Sequence, residues 1–122
     1  MKKLILYSYS KCSTCRKALK WLDQKGFDYE LKDIVNEPPS KNYINLALKI
    51  HNLDKKKVFN TRGKKFRSIS LDINTLTDQK MIQLLQNDGK LVKRPFLVVE
   101  EKKIILGFNE HEYNDCLGYK NT

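Results

Sequence analysis

The feature that most limits what this chain can become is Cys12-Ser13-Thr14-Cys15, which stands at the junction between its first apolar run and its first amphipathic segment. Leu4-Ile5-Leu6-Tyr7 is a continuous apolar run closed by Ser8, the pattern of a short strand buried on both faces of a sheet. A polar turn from Ser8 to Lys11 follows. From Ser13 the spacing becomes helical: Ala18, Leu19, Trp21 and Leu22 form a stripe, Arg16, Lys17, Lys20 and Asp23 lie outside it, and Gly26 is placed to stop the helix. Phe27, Tyr29 and Leu31 then alternate with Asp28, Glu30 and Lys32, the period of a strand with one wet face. A strand-helix-strand unit opens the chain, and its first cysteine lies where strand gives way to helix.

Glu37-Pro38-Pro39-Ser40 breaks the chain and leaves Ser40 as the N-cap of a helix with Tyr43, Ile44, Ala47 and Leu48 on one side. A short helix is expected around Lys55 to Phe59, and the polar, basic stretch from Asn60 to Ser70 reads as a loop. Thr77 caps a helix whose core side includes Met81, Ile82, Leu84 and Leu85, ending near Asn87-Asp88-Gly89. Phe96 to Val99 and Lys103 to Leu106 read as an antiparallel hairpin joined by a short charged turn. Asn109, with Glu112 three residues on, caps a last helix carrying Tyr113, Cys116 and Leu117. This order predicts an α/β fold in which helices cover a mixed four-stranded sheet, the thioredoxin-like arrangement.

A length of 122 residues fits one domain, residues 1–122, with a packed core. No apolar run approaches the roughly 18 residues of a membrane helix, and the run after Met1-Lys2-Lys3 is too short for a secretory signal. A cytoplasmic location with no membrane association is the resulting expectation. The formal net charge of +10 favours anionic partners, among which nucleic acid, glutathione, an oxyanion and an acidic protein face all remain open beside a merely solvated lysine surface. Direct nucleic-acid binding is not expected, because there is no recognition helix and no regular interleaving of aromatic with basic residues.

At the mouth of the first helix the Cys12 sulfur faces free backbone N–H groups and the positive end of the helix dipole, both of which favour thiolate. Lys11, Arg16 and Lys17 add positive charge nearby. Cys12 is therefore the expected nucleophile, and Cys15, one turn along, the resolving thiol that releases a group bound to Cys12. Two other readings of the pair stand beside this one. A zinc site would need two further ligands, for which Cys116, His51 and His111 are the candidates, although none forms a second close pair. An inert pair packed in the core is the other. Cys116 lies on the apolar side of its helix and is expected to be buried.

Tyr7 through Leu22, reading YSYSKCSTCRKALKWL, resembles the family that joins arsenate reductase to the Spx and MgsR redox regulators. The resemblance continues in order through Asn36-Glu37-Pro38-Pro39-Ser40, Asn60-Thr61-Arg62, Lys93-Arg94-Pro95 and Gly107-Phe108-Asn109. It implies a thioredoxin-like fold with a helical insertion, as in ArsC-like proteins. By that resemblance Cys12 matches the nucleophile that carries an arsenate adduct or a mixed disulfide with glutathione. Arg62 and Arg94 match the arginines that hold the oxyanion beside the sulfur, for which a guanidinium offers a planar fork of donors. Pro95 matches a proline whose cis peptide lies opposite the active cysteine.

Three departures shape the functional expectation. Gly107-Phe108-Asn109 stands where glutaredoxin-dependent arsenate reductases carry a third arginine, and those enzymes lack a cysteine at the position of Cys15. Both differences point to a dithiol cycle with an internal disulfide. Asn52-Leu53-Asp54 stands where the polymerase-binding regulators carry a glycine. The leading expectation is thus an arsenate-reductase-like thiol-disulfide oxidoreductase, acting on a small anionic or disulfide substrate. It would hold no bound cofactor and would take glutathione or a dithiol protein such as glutaredoxin or thioredoxin as reductant. The alternative is an Spx-like or MgsR-like redox-sensing transcriptional regulator that binds RNA polymerase, with Lys55-Lys56-Lys57 and Lys64-Lys65-Phe66-Arg67 available to an acidic partner.

Overall fold

In the computed structural model, which describes residues 2–118, alternation along the first strand divides the core in two. This strand, β1 (Leu4–Ser8), sits second in a sheet of order β2-β1-β3-β4. It runs parallel to β2 (Glu30–Asp33) and antiparallel to β3 (Phe96–Val99), which pairs antiparallel with β4 (Lys103–Leu106). Leu4 and Leu6 face one cluster, built with Ala18, Trp21 and Leu22 of α1 (Ser13–Gln24) and with Tyr113 and Leu117 of α6 (Glu110–Leu117). Ile5 and Tyr7 face the other, built with Ile44 and Leu48 of α2 (Lys41–Ile50), Val58 of α3 (Lys55–Val58), and Met81 and Leu85 of α5 (Asp78–Asn87). Successive side chains of a strand point to opposite faces, so a run of apolar residues in β1 serves both layers. The single domain expected over residues 1–122 extends at its two ends outside the described residues. Among those residues no helix is long and apolar enough to cross a membrane.

The helix starts follow the capping chemistry legible in the sequence. Ser40 Oγ accepts from the Tyr43 N–H at 3.3 Å, Thr77 Oγ1 from the Lys80 N–H at 3.2 Å, and Asn109 Oδ1 from the Glu112 N–H at 3.0 Å. Each such cap contributes about 1 kcal/mol by satisfying an N–H that the helix leaves unpaired. The β3–β4 hairpin turns through the three residues Glu100 to Lys102, with Glu100 and Glu101 in the left-handed region at φ 52° and 57° and the Lys102 N–H donating to the Val99 carbonyl at 3.0 Å.

Two elements differ from the sequence expectation. The stretch from Asn60 to Ser70, expected as a loop, contains a short helix, α4 (Lys64–Ser68). It is held by tertiary contact rather than propensity: the Phe66 ring packs on Phe59 at 5.5 Å between centroids, and Lys65 pairs with Asp88 at 3.4 Å. The alternation from Phe27 to Lys32 was expected to be one strand with a dry face. Instead, β2 begins only at Glu30; Phe27 and Tyr29 pack beside α1 ahead of it, while Leu31, on this edge strand, is 55% exposed.

Gly89, placed by the sequence near the end of α5, has a further reason to be glycine. A Cβ there would lie 1.7 Å from the Ile34 carbonyl oxygen and 2.6 Å from its carbon, both backbone atoms that cannot move aside. Close approach of these two backbones seats the 3₁₀ turn Gly89–Leu91 against the chain leaving β2, and so fixes the start of the segment that carries Arg94. Gly89→Ala is expected to destabilise the protein by about 3 kcal/mol or more, the upper range for overpacking, measured as a lowered midpoint of urea unfolding.

Candidate active site

Strand β1 delivers the chain to the sheet end, Cys12 N–H closes a turn onto the Tyr9 carbonyl at 3.0 Å, and α1 begins at the next residue. Cys12 is thereby the N-cap of α1, in extended backbone conformation at φ −97° and ψ 117°. Its sulfur occupies the place where Ser, Thr, Asp or Asn ordinarily accepts from the first turn. The Cys15 N–H donates to Cys12 Sγ at 3.3 Å. The two thiols are free cysteines; Cys12 is partly exposed and Cys15 fully buried beneath it.

These positions drive the two thiols apart in acidity. For Cys12, burial alone acts upward, yet the net direction is down. Hydrogen bonds from the Cys15 thiol, the Cys15 N–H and Arg94, together with the Arg94 charge, outweigh the loss of water. For Cys15, burial acts first and the hydrogen bond and charge of Cys12 add to it, pushing its thiol up to about 12. The cation acting on Cys12 is Arg94, not the neighbours in sequence that were expected to supply the charge. Lys11 is exposed, and Arg16 turns back to donate to the Ser10 carbonyl at 2.9 Å.

Arg94 is held from two sides. Its guanidinium carbon lies 4.8 Å from the centroid of the Tyr9 ring, in cation–π range, and Nη1 donates to the Lys90 carbonyl at 3.4 Å. The Arg94–Pro95 peptide is cis, and Pro95 is buried at the start of β3. Arg62 is not brought to the thiols in the same way: it is exposed in the turn before α4 and makes no hydrogen bond or ion pair among the described residues. Cys116 is half-buried beside the α1–α6 cluster, and His111 is exposed with its Nε2 3.3 Å from Asp115. Among the described residues no three His, Cys, Asp or Glu side chains stand together as a metal cluster.

Beyond Arg94 the site opens into a cleft of about 660 Å³ between the Tyr9–Lys11 turn, α4 and the segment through Lys90. Sequence reasoning missed Tyr9 as the platform for Arg94 and missed Lys90 altogether. It marked Lys64-Lys65 only as part of a basic cluster for a partner, because their placement in the same cleft as Arg94 depends on α4 folding back over Phe59.

A family model described as "ArsC family" matches residues 7–116. The uncharacterized protein YusI of Bacillus subtilis (strain 168) is 38% identical over 114 residues, 92% of this chain and 96% of its own. The global transcriptional regulator Spx of Listeria innocua is 32% identical over 107 residues, 88% of this chain and 81% of its own. Among solved structures, that of a possible arsenate reductase from Streptococcus mutans UA159 is similar with a TM-score of 0.83 and 40% identity, covering 92% of this chain and 97% of that one.

The acidity split has a direct readout. Thiolate is the species that alkylates, so its fraction rises as pH climbs through the pKa, and a lowered pKa places the Cys12 transition below the ordinary thiol range. Arg94→Ala removes one hydrogen bond and the cation, so the iodoacetamide rate profile of Cys12 is expected to move to higher pH and the rate at neutral pH to fall. Mass mapping of the alkylated peptides is expected to find Cys15 unmodified until strongly alkaline pH.

Proposed function

This chain belongs to the ArsC family, and we propose that it works as a thiol-disulfide oxidoreductase in which Cys12 attacks and Cys15 resolves. Its mixed four-stranded sheet with α2 to α5 inserted between β2 and β3 is the ArsC-like thioredoxin fold, which it shares with the structure described as a possible arsenate reductase. The observation that carries the reading is Cys12 Sγ as acceptor at the N-terminus of α1, with Arg94 beside it and a second thiol one turn below.

In this reading the Cys12 thiolate attacks one sulfur of a disulfide substrate. A new bond forms between Cys12 Sγ and that sulfur, and the other half leaves as a thiolate. Cys15 then gives up its proton and attacks Cys12 Sγ, closing the Cys12–Cys15 disulfide and releasing the second thiol. Two electrons pass from the protein pair to the substrate, and an external dithiol, a thioredoxin or glutaredoxin, returns them. Arg94 orients an anionic group beside the reacting sulfur, and Arg62, exposed on the turn before α4, is the second arginine of this reading. Arsenate is the smaller anion to be tested at the same place.

Similarity to Spx favours a second reading, in which the same pair switches a protein interface with RNA polymerase instead of turning over a substrate. The two part on catalysis. With a thiol reductant, the wild-type protein is expected to turn over glutathione disulfide, a protein disulfide or arsenate, and Cys12→Ser to fall to the uncatalysed rate. Cys15→Ser is expected to accumulate a mixed disulfide on Cys12 that intact-mass measurement detects. Turnover no faster than Cys12→Ser on all three, with polymerase retained by the protein in only one redox state, would instead establish the regulator.

A further inference from the structure

The cleft beside Cys12 is too large and too basic for a lone oxyanion, and we infer that its ligand is a small disulfide bearing phosphate groups. This inference rests on the oxidoreductase reading above and names the class of its substrate. At about 660 Å³ the cleft falls within the roughly 300–1,000 Å³ of sites that enclose extended organic ligands. Lys11, Lys64, Lys65, Lys90 and Arg94 line it together with the Tyr9 ring, and no acidic side chain does so among the described residues. Asp88 pairs with Lys65 at 3.4 Å, while Lys64 and Lys90 have no side-chain partner among the described residues. Such a cluster raises a positive potential that draws anions in, and the set left outside the Asp88–Lys65 pair, Lys11, Lys64, Lys90 and Arg94, exceeds what the two net negative charges of glutathione disulfide would balance. Phosphate groups match it, as several negative oxygens each accept from ammonium and guanidinium donors.

Arg94 joins the two halves of this arrangement, since its guanidinium favours the Cys12 thiolate and also lines the cleft. A ligand whose phosphates lie along Lys64 and Lys90 therefore points its sulfur-bearing arm toward Cys12. The Cys12 thiolate attacks the near sulfur, the far half departs as a thiolate, and Cys15 releases the bound half as the Cys12–Cys15 disulfide forms. The substrate disulfide is the oxidant and is reduced to two thiols; the protein dithiol is oxidised.

The test compares two disulfides with the same thiol arm, coenzyme A disulfide and pantethine, the second lacking phosphates. Rates of Cys12–Cys15 disulfide formation in the reduced protein are followed by quenched-flow alkylation and mass measurement. Coenzyme A disulfide is expected to react about tenfold faster or more at low ionic strength, with the advantage shrinking as salt rises. The double variant Lys64→Ala/Lys90→Ala is expected to bring the rate ratio toward one. Lys41→Ala/Lys49→Ala, which removes equal charge from α2, is expected to keep it. The ratio is taken within each sample, so partial misfolding does not imitate the effect. A ratio near one in the wild type, or the same fall in both double variants, overturns the inference while leaving the oxidoreductase reading intact if pantethine and glutathione disulfide still react. Failure of all three disulfides to oxidise the pair overturns both.

Discussion

The hydrogen bond from the Cys15 N–H to Cys12 Sγ is the constraint on which the rest of the site depends. A helix leaves its first N–H groups unpaired, and here a sulfur takes the place of the usual oxygen cap. That substitution exchanges a good acceptor for a weaker one unless the sulfur is negative, so the helix start is better satisfied by thiolate than by thiol. Reactivity and local structure are coupled through one contact. The register of α1 follows from it, and with the register comes the burial of Cys15 one turn on, directly under the exposed thiol.

The remaining architecture brings a cation to that sulfur from the far end of the chain. β3 pairs antiparallel with β1, so residues entering β3 arrive at the sheet end from which Cys12 leaves β1. Arg94 stands at that entry, stacked on Tyr9 from the turn between β1 and α1. Its approach is set further upstream by the backbone contact of Gly89 with Ile34, which anchors the loop before β3 to the loop after β2. α4 closes the third side through Phe66 on Phe59. The site is thus assembled from segments distant in sequence, each held by a contact with the sheet or its covering layers.

That origin explains what could be read from the sequence. The strands of the hairpin, the caps Ser40, Thr77 and Asn109, and the placement of Cys12 at the start of α1 rest on local signals, periodicity and capping residues, and all of these were legible. α4 was not, because it has too few residues to show a period and is held by tertiary contacts, Phe66 on Phe59 and Lys65 with Asp88. The source of positive charge on Cys12 was misread for a related reason: Lys11, Arg16 and Lys17 are near in sequence, but side-chain direction and tertiary pairing decide which cation reaches the sulfur. The exposed face of β2 was equally invisible, since an alternating pattern does not reveal that the strand lies at the edge of the sheet.

The unequal thiols carry a consequence for the order of events. Part of what keeps the Cys15 proton in place is Cys12 itself, through its hydrogen bond and its negative charge. Once Cys12 is bonded to another sulfur, that charge is gone and only burial and the fixed surroundings still hold the proton. The buried thiol therefore holds its proton most tightly while its neighbour waits for a substrate, and the smaller share of that hold, the part due to Cys12, is given up with the first bond the neighbour makes. Such a pair biases the order of events, because the second thiol becomes the better nucleophile only after the first has reacted.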